Sequence, residues 1–298
     1  MKKILITGAG SYIGTSFENY MGQWSDKYIV DTVDMIDGSW REKDFSGYDV
    51  VFHVAGIAHA DVGHASEETK KKYYAINTDL TVETAKKAKS DGVKQFIFMS
   101  SAIVYGESAP MGKLKIITKE TKPEPANFYG DSKLQAENGI NPLNNESFKV
   151  VVLRPPMIYG KGSKGNYPML AKMARRLPLF PNVKNQRSML YVGNLCEFIK
   201  LMIDNEEAGT YHPQNAEYVS TSEMVKEIAR VYGKKIWVTK LLNPFVWLAS
   251  KVPGKIGGLT NKAFGNFVYD KVISGYKNSS YKKIDLSESI VMTEESNG

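Results

Sequence analysis

The sequence holds a single cysteine, Cys196, in 298 residues, which excludes an internal disulfide and a cysteine-built metal site. Beside Leu195, Phe198 and Ile199 it reads as a small core residue, and no metal is expected. Long apolar runs are also missing. The opening Met-Lys-Lys-Ile-Leu-Ile-Thr-Gly reaches glycine after three apolar residues, too few for a signal-peptide core or a membrane span. A cytoplasmic protein without a transmembrane segment is expected. Charge of one sign is in excess, 39 Lys+Arg against 32 Asp+Glu for a net +7, which admits phosphates, nucleic acid or a membrane surface as partners. What is lacking is a basic stripe interleaved with stacking aromatics. The lysines at 70–72 and 86–89 alternate with carboxylates and helix formers, the pattern of a solvated helix face. That argues against nucleic acid and membrane surface and leaves a small anionic ligand.

What is present is enough apolar sequence, 42% of the chain, for one large core or two smaller ones, so a bilobal enzyme or binding protein is expected. Tyr129-Gly130-Asp131-Ser132-Lys133 sets a phenol and an ammonium four residues apart, on one face if the stretch is helical. A cation beside a phenol favours the phenolate, and the pair is a candidate acid/base device. The first strand, Ile4-Leu5-Ile6, runs into Thr7-Gly8-Ala9-Gly10-Ser11-Tyr12-Ile13-Gly14 and then a helical stretch with Phe17, Tyr20 and Met21 on one side. Strand, glycine turn and helix bring backbone N–H groups and the positive helix end to a pyrophosphate. Gly8, Gly10, Ser11, Tyr12, Ile13 and Gly14 are therefore candidate cofactor residues. A second strand, residues 28–33, ends at Asp34, about 20 residues past Gly14, where a ribose-binding carboxylate belongs. Its charge would repel a 2′-phosphate and so selects NAD over NADP.

This pattern resembles the extended branch of the short-chain dehydrogenase/reductase family, the NAD-dependent epimerases and dehydratases, which open with Thr-Gly-x-x-Gly-x-x-Gly. One position departs: Ser11 stands at the middle glycine, with Gly10 one place early. The resemblance implies an α/β fold, a Rossmann-type doubly wound parallel sheet with a smaller, discontinuous C-terminal substrate lobe. Boundaries follow as 1–155 for the NAD-binding domain with a returning segment about 189–213, and 156–188 with 214–298 for the substrate lobe. The apolar run 49–56 resembles the strand whose end, Ala55 and Gly56, lies along the cofactor. His53 reads as a packed strand residue; His59 reads first as a solvent-facing loop residue and second as a contact to a bound sugar. The short link from Asp34 to Asp49 predicts an abbreviated crossover, with Asp37 or Asp44 meeting the adenine.

A helix is predicted over about 67–90, interrupted near Asn77 and Thr78, with Asn77 at the family's backbone-fixing asparagine. The buried strand 95–99 delivers Ser100-Ser101-Ala102-Ile103-Val104-Tyr105-Gly106. By resemblance Ser101 orients the reacting oxygen, Tyr129 transfers the proton, and Lys133 lowers the Tyr129 pKa while holding the nicotinamide ribose. Sugar dehydratases of the family carry an Asp-Glu pair where this chain has Ala102 and Ile103, so elimination has lost its acid and base. The strand 150–153 leads into Arg154-Pro155-Pro156-Met157-Ile158-Tyr159-Gly160, with backbone near Pro156 and Met157 at the nicotinamide. Asn166 and Arg187 fall where the family contacts the nucleotide diphosphate, and a guanidinium fork suits phosphate oxygens. The segment 241–248, apolar but far short of a span, reads first as a buried helix and second as a membrane-surface or partner contact. The resemblance implies C4 oxidoreduction of a nucleotide sugar, a UDP-sugar above others: a 4-epimerase or a 4-keto-sugar reductase. The rival from another class is a non-catalytic NAD-binding sensor or scaffold. A homodimer is compatible with all three.

Overall fold

Short apolar runs that alternate their side chains between two covered faces become the strands of a buried parallel sheet. The computed structural model, which describes residues 1–58, 65–277 and 281–295, has four of them first in the chain: β1 (Lys2–Thr7), β2 (Tyr28–Val33), β3 (Val50–His53) and β4 (Gln95–Met99). Strands Lys149–Leu153 and Gly209–Tyr211 complete a six-stranded sheet. All pairings are parallel, in the order β2, β1, β3, β4, Lys149–Leu153, Gly209–Tyr211. Helix α1 (Tyr12–Met21) brings Phe17 edge-on to Phe52, with ring centres 5.1 Å apart. On another face, Leu5, Val51, Phe96, Phe98, Val150 and Val152 pack with Ala85, Ala88, Ala136 and Ile140. Those alanines and Ile140 come from α3 (Leu80–Ser90) and α4 (Phe128–Ile140), which follow α2 (Glu67–Tyr74) in the chain. Phe96 and Phe98 have no exposed surface, and burying each side chain contributes about 1.5–3 kcal/mol.

These strands and helices form unit 1, Met1–Gly106, Lys122–Pro155 and Leu195–Pro213; unit 2 is Glu107–Thr121, Pro156–Asn194 and Gln214–Gly298. The sequence boundaries differ in two places. Residues 107–121 belong to unit 2, because Ile116–Ile117 pairs with Val268–Tyr269. The returning segment begins at 195 rather than 189, because Met189–Tyr191 pairs with Met157–Tyr159. Both pairings bring together residues remote in sequence, which no local pattern reports.

Unit 2 centres on Tyr159, Tyr167, Met189, Val225, Ile228 and Ile290, gathered by helices Asn166–Arg176, Thr221–Val231 and Leu286–Glu294. The Ser220 hydroxyl caps the second of these by accepting from the Glu223 amide at 3.0 Å. The segment 241–248 overturns its expectation. It is helical over Asn243–Lys251 but buries none of its residues, and Phe245 is 70% exposed. An apolar pattern reports a preference for burial but not whether the fold supplies a surface to meet it. Among the described residues no helix is long and apolar enough to cross a membrane.

Candidate active site

The order of the sheet reverses between β1 and β3, the place where parallel sheets of this kind bind ligands beyond their C-terminal edges. After β1 the chain turns through Gly8 (φ 103°) and Gly10 (φ 71°) into α1. A side chain on Gly8 would lie 2.9 Å from the Ala55 amide, whereas one on Gly10 would meet nothing within 4 Å. Gly8 is thus needed for the approach to the end of β3, while Gly10 lies under open space. Ser11, the departure from the family spacing, is the cap of α1, its hydroxyl accepting from the Gly14 amide at 3.2 Å. That uses one first-turn amide internally and leaves the positive helix end, with Tyr12 and Ile13, for an anion. Asp34 follows β2 directly and is exposed, with one carboxylate oxygen accepting the Ile36 amide at 2.8 Å and the other available to a ribose diol. Asp37 and Asp44 instead close their own turns, onto Ser39 and Ser46. The link from β2 to β3 holds no further strand, as its length predicts. These residues fit NAD.

A π turn over Ala75–Asp79 separates α2 from α3, the interruption expected near Asn77, and such turns recur at functional positions. The buried Asn77 side chain pairs with the Ile57 backbone, accepting at 2.9 Å and donating at 3.1 Å, and donates to the Ser132 hydroxyl at 3.1 Å. Thr78 donates to the Ser132 carbonyl at 2.7 Å, and Tyr74 to Asp131 at 2.8 Å. The π turn therefore holds α4 along its first turns.

Helix α4 starts under an Asn127 cap, and its third residue explains its position. A side chain on Gly130 would lie 2.8 Å from the Ile103 carbonyl, so only glycine lets the helix rest on the turn that Ser101 opens. The Ser101 hydroxyl and the Tyr129 phenol are brought near one another in this way, and Ser101 acts to lower the phenol's pKa. Desolvation raises the phenol to about 12, outweighing the lowering by Ser101, and Tyr73 adds to the rise. The Lys133 ammonium donates to the Met99 carbonyl at 3.0 Å and lies 4.8 Å from the Phe98 ring centre. Burial lowers Lys133 itself to about 8. Residues four apart share a helix face, and the long lysine stem carries its ammonium to the end of β4. At neutral pH the Tyr129 phenol therefore keeps its proton, the form that can act as a general acid. Lys133 and Asn77 converge on Gly56, where an added side chain would lie 3.1 and 3.0 Å from their terminal atoms.

Sequence reading missed what stiffens this site. Arg154 and Glu137 form a buried two-pronged ion pair, with Ser100 donating to the same carboxylate. Arg154 also donates to the Tyr105 hydroxyl at 2.6 Å, and that oxygen pairs with His212 at 2.8 Å. The i, i+4 spacing of Lys133 and Glu137 is a visible signal, but the partner of Glu137 17 residues on is not. Glu137→Gln is expected to cost about 3 kcal/mol by leaving the guanidinium buried without its carboxylate. A denaturation midpoint unchanged by that substitution would show the pair to be idle.

In unit 2, Asn166 and Arg187 come together on one cleft with Met157, Met169, Leu259 and Lys262. Arg187 donates to the Lys262 carbonyl at 2.5 Å and has no carboxylate partner among the described residues. Burial lowers its pKa, an effect that a negative charge in the cleft would offset. Pro156 opens unit 2. His53 is buried between Thr7 and Thr81, as expected of a packed strand residue. His59 lies outside the described residues.

The model of the NAD-dependent epimerase/dehydratase family matches residues 4–216. The chain is 33% identical over 258 residues to a UDP-glucose 4-epimerase of Vibrio cholerae, covering 79% of this chain and 77% of that one. It is 29% identical over 279 residues to an N-acetyl-α-D-glucosaminyl-diphospho-ditrans,octacis-undecaprenol 4-epimerase of Escherichia coli O157:H7, covering 85% and 81%. In fold it is similar to the UDP-glucuronic acid 4-epimerase of Bacillus cereus, solved with NAD, at a TM-score of 0.70 and 16% identity over 97% and 96% of the two chains. With a family model over most of its length and a relative one-third identical, this chain belongs to the NAD-dependent epimerase/dehydratase family.

Proposed function

We propose that this is a cytoplasmic NAD-dependent 4-epimerase of a nucleotide sugar, acting on a UDP-hexose or a UDP-N-acetylhexosamine. The observation that carries the reading is the seating of Gly130 against the Ile103 carbonyl, which sets Tyr129 beside the turn that Ser101 opens, with Ala102 and Ile103 next in that turn. That is one proton couple aimed at one oxygen, with no second acid and base for elimination. Tyr129 holds the proton of the C4 oxygen, Ser101 orients that oxygen, and Lys133 holds the nicotinamide ribose. NAD, when bound, accepts the C4 hydride and returns it. Asn166 and Arg187 hold the diphosphate, and Asp34 sets the preference for NAD. An intact Ser101, Tyr129 and Lys133 set speaks against a non-catalytic sensor.

The purified protein, incubated with UDP-hexoses and no added cofactor, is expected to form the C4 epimer at constant nicotinamide absorbance. Absence of epimer, with stoichiometric NADH loss on addition of a UDP-4-keto-6-deoxy sugar, would replace the epimerase with a 4-keto-sugar reductase.

A further inference from the structure

The basic excess of the chain is concentrated in one place. Between Glu227 and Asp270 there are seven basic residues and no acidic one, which equals the net charge of +7 for the whole chain. This reverses the reading drawn from the lysines at 70–72 and 86–89, which lie in a part of the sequence balanced by carboxylates. The same stretch carries the most exposed apolar face of unit 2. Helices Asn243–Lys251 and Lys255–Phe264 form a hairpin, drawn tight at Gly257, where a side chain would lie 2.0 Å from the Val252 carbonyl. The Asn261 side chain ties it by donating to the Ser250 carbonyl at 3.0 Å. Leu241, Phe245 and Leu248 recur at helical spacing and are 76%, 70% and 61% exposed, and Ile256 on the second helix is 60% exposed. The Lys251 ammonium stands 5.7 Å from the ring centre of Trp247, itself half-exposed.

An apolar face of this size on a braced hairpin is a contact surface. Its charge says what it contacts. Two copies of a lysine-bearing stretch without carboxylates repel each other, whereas aromatic and aliphatic side chains on a stretch that carries lysines suit an anionic bilayer, with the rings among the acyl chains and the ammonium groups at the phosphates. We propose that this hairpin docks unit 2 on an anionic membrane surface. The second helix also supplies Leu259 and Lys262 to the cleft of Arg187 and Asn166, so a ligand held there lies against the helix that meets the bilayer. Beside the UDP-sugar, a second substrate class then fits this cleft, a sugar diphosphate whose other substituent is an aliphatic chain. This last step rests on the assignment of Arg187 to a diphosphate; the docking does not.

The full-length protein is expected to float with vesicles of phosphatidylglycerol and phosphatidylcholine about tenfold more than with phosphatidylcholine alone, and to be released by salt. The double variant Phe245→Ser/Leu248→Ser should lose that flotation while keeping its melting temperature and its affinity for UDP. No flotation of the wild type at low salt, flotation unchanged in the double variant, or a stable dimer that the double variant breaks would each overturn the docking. Farnesyl diphosphate should displace UDP from the wild type at a concentration about tenfold lower than inorganic diphosphate, and Arg187→Ala should weaken both. Equal potency of the two would overturn the aliphatic substrate. A wild type that floats but binds no UDP would instead refute the nucleotide-sugar reading and leave the docking standing.

Discussion

Tyr129→Phe is expected to lower turnover by about 10²–10⁴-fold, the usual contribution of one positioned acid/base group, while NAD affinity and melting temperature stay at wild-type values. The substitution removes one oxygen from a half-buried ring. The ring keeps its edge-on contact with Tyr73, whose centre is 5.8 Å away. Lys133 does not depend on the phenol, because its ammonium is bonded to the Met99 carbonyl, so the cofactor side of the cleft is untouched. Ser101 keeps its backbone role, accepting the Ile103 amide at 3.3 Å. What disappears is a proton carrier raised to about 12 by burial. The measurement is steady-state epimerisation beside a titration of NAD binding. Turnover within a few-fold of wild type would remove Tyr129 from the chemistry. Lost NAD affinity would show that the phenol holds the cofactor instead.

Acid is expected to unfold unit 1 well above the pH at which its carboxylates titrate. His53 has no exposed surface, and burial lowers it to about 3, with the nearby Lys133 charge adding to the effect. The groups around it are the Thr7 and Thr81 hydroxyls and the Phe96 and Phe98 rings. None of these can accept the proton of an imidazolium as a carboxylate would. The sign follows from the depressed folded-state pKa. Below about 6.5 the unfolded chain takes up a proton that the folded chain refuses, so stability is full above that pH and falls as pH drops toward 3. The folded-state loss for His53 approaches about 4–5 kcal/mol at the acid end. His212, half-buried and lowered to about 4 by burial and by Arg154, adds a smaller share over the same window. Urea midpoints measured from pH 7 to pH 4.5 should decline throughout. His53→Asn should be less stable at pH 7 yet show a shallower decline, by about one proton or 1.4 kcal/mol per pH unit. A slope unchanged by His53→Asn would assign the acid sensitivity to other groups.

Local spacing carries local chemistry, which is why much of unit 1 is legible in the order of its residues. Ile4-Leu5-Ile6 before Gly8 and Gly10, the acid at Asp34 and the unbroken run of β3 follow from side-chain period and backbone freedom alone. The break in the helix at Asn77 is visible as polar residues interrupting an otherwise helical run. Tyr129 and Lys133 are legible as a pair because a helix fixes which residues share a face.

By itself, then, the sequence determined the parallel sheet, the glycine turn and the placing of Tyr129 and Lys133 on one helix. The tertiary structure alone decided where their terminal atoms go and what environment they meet. The Lys133 ammonium bonds the Met99 carbonyl, 34 residues away, and burial raises the Tyr129 phenol. Glu137 answers to Arg154 at the end of another strand, residues 107–121 belong to unit 2, and Asn166 shares a cleft with Arg187. The helix Asn243–Lys251 buries none of its residues within the chain although its composition favours burial. Each of these outcomes depends on desolvation or on a partner remote in the chain. Both are properties of the surface an element meets, and a neighbour in sequence says nothing of that surface.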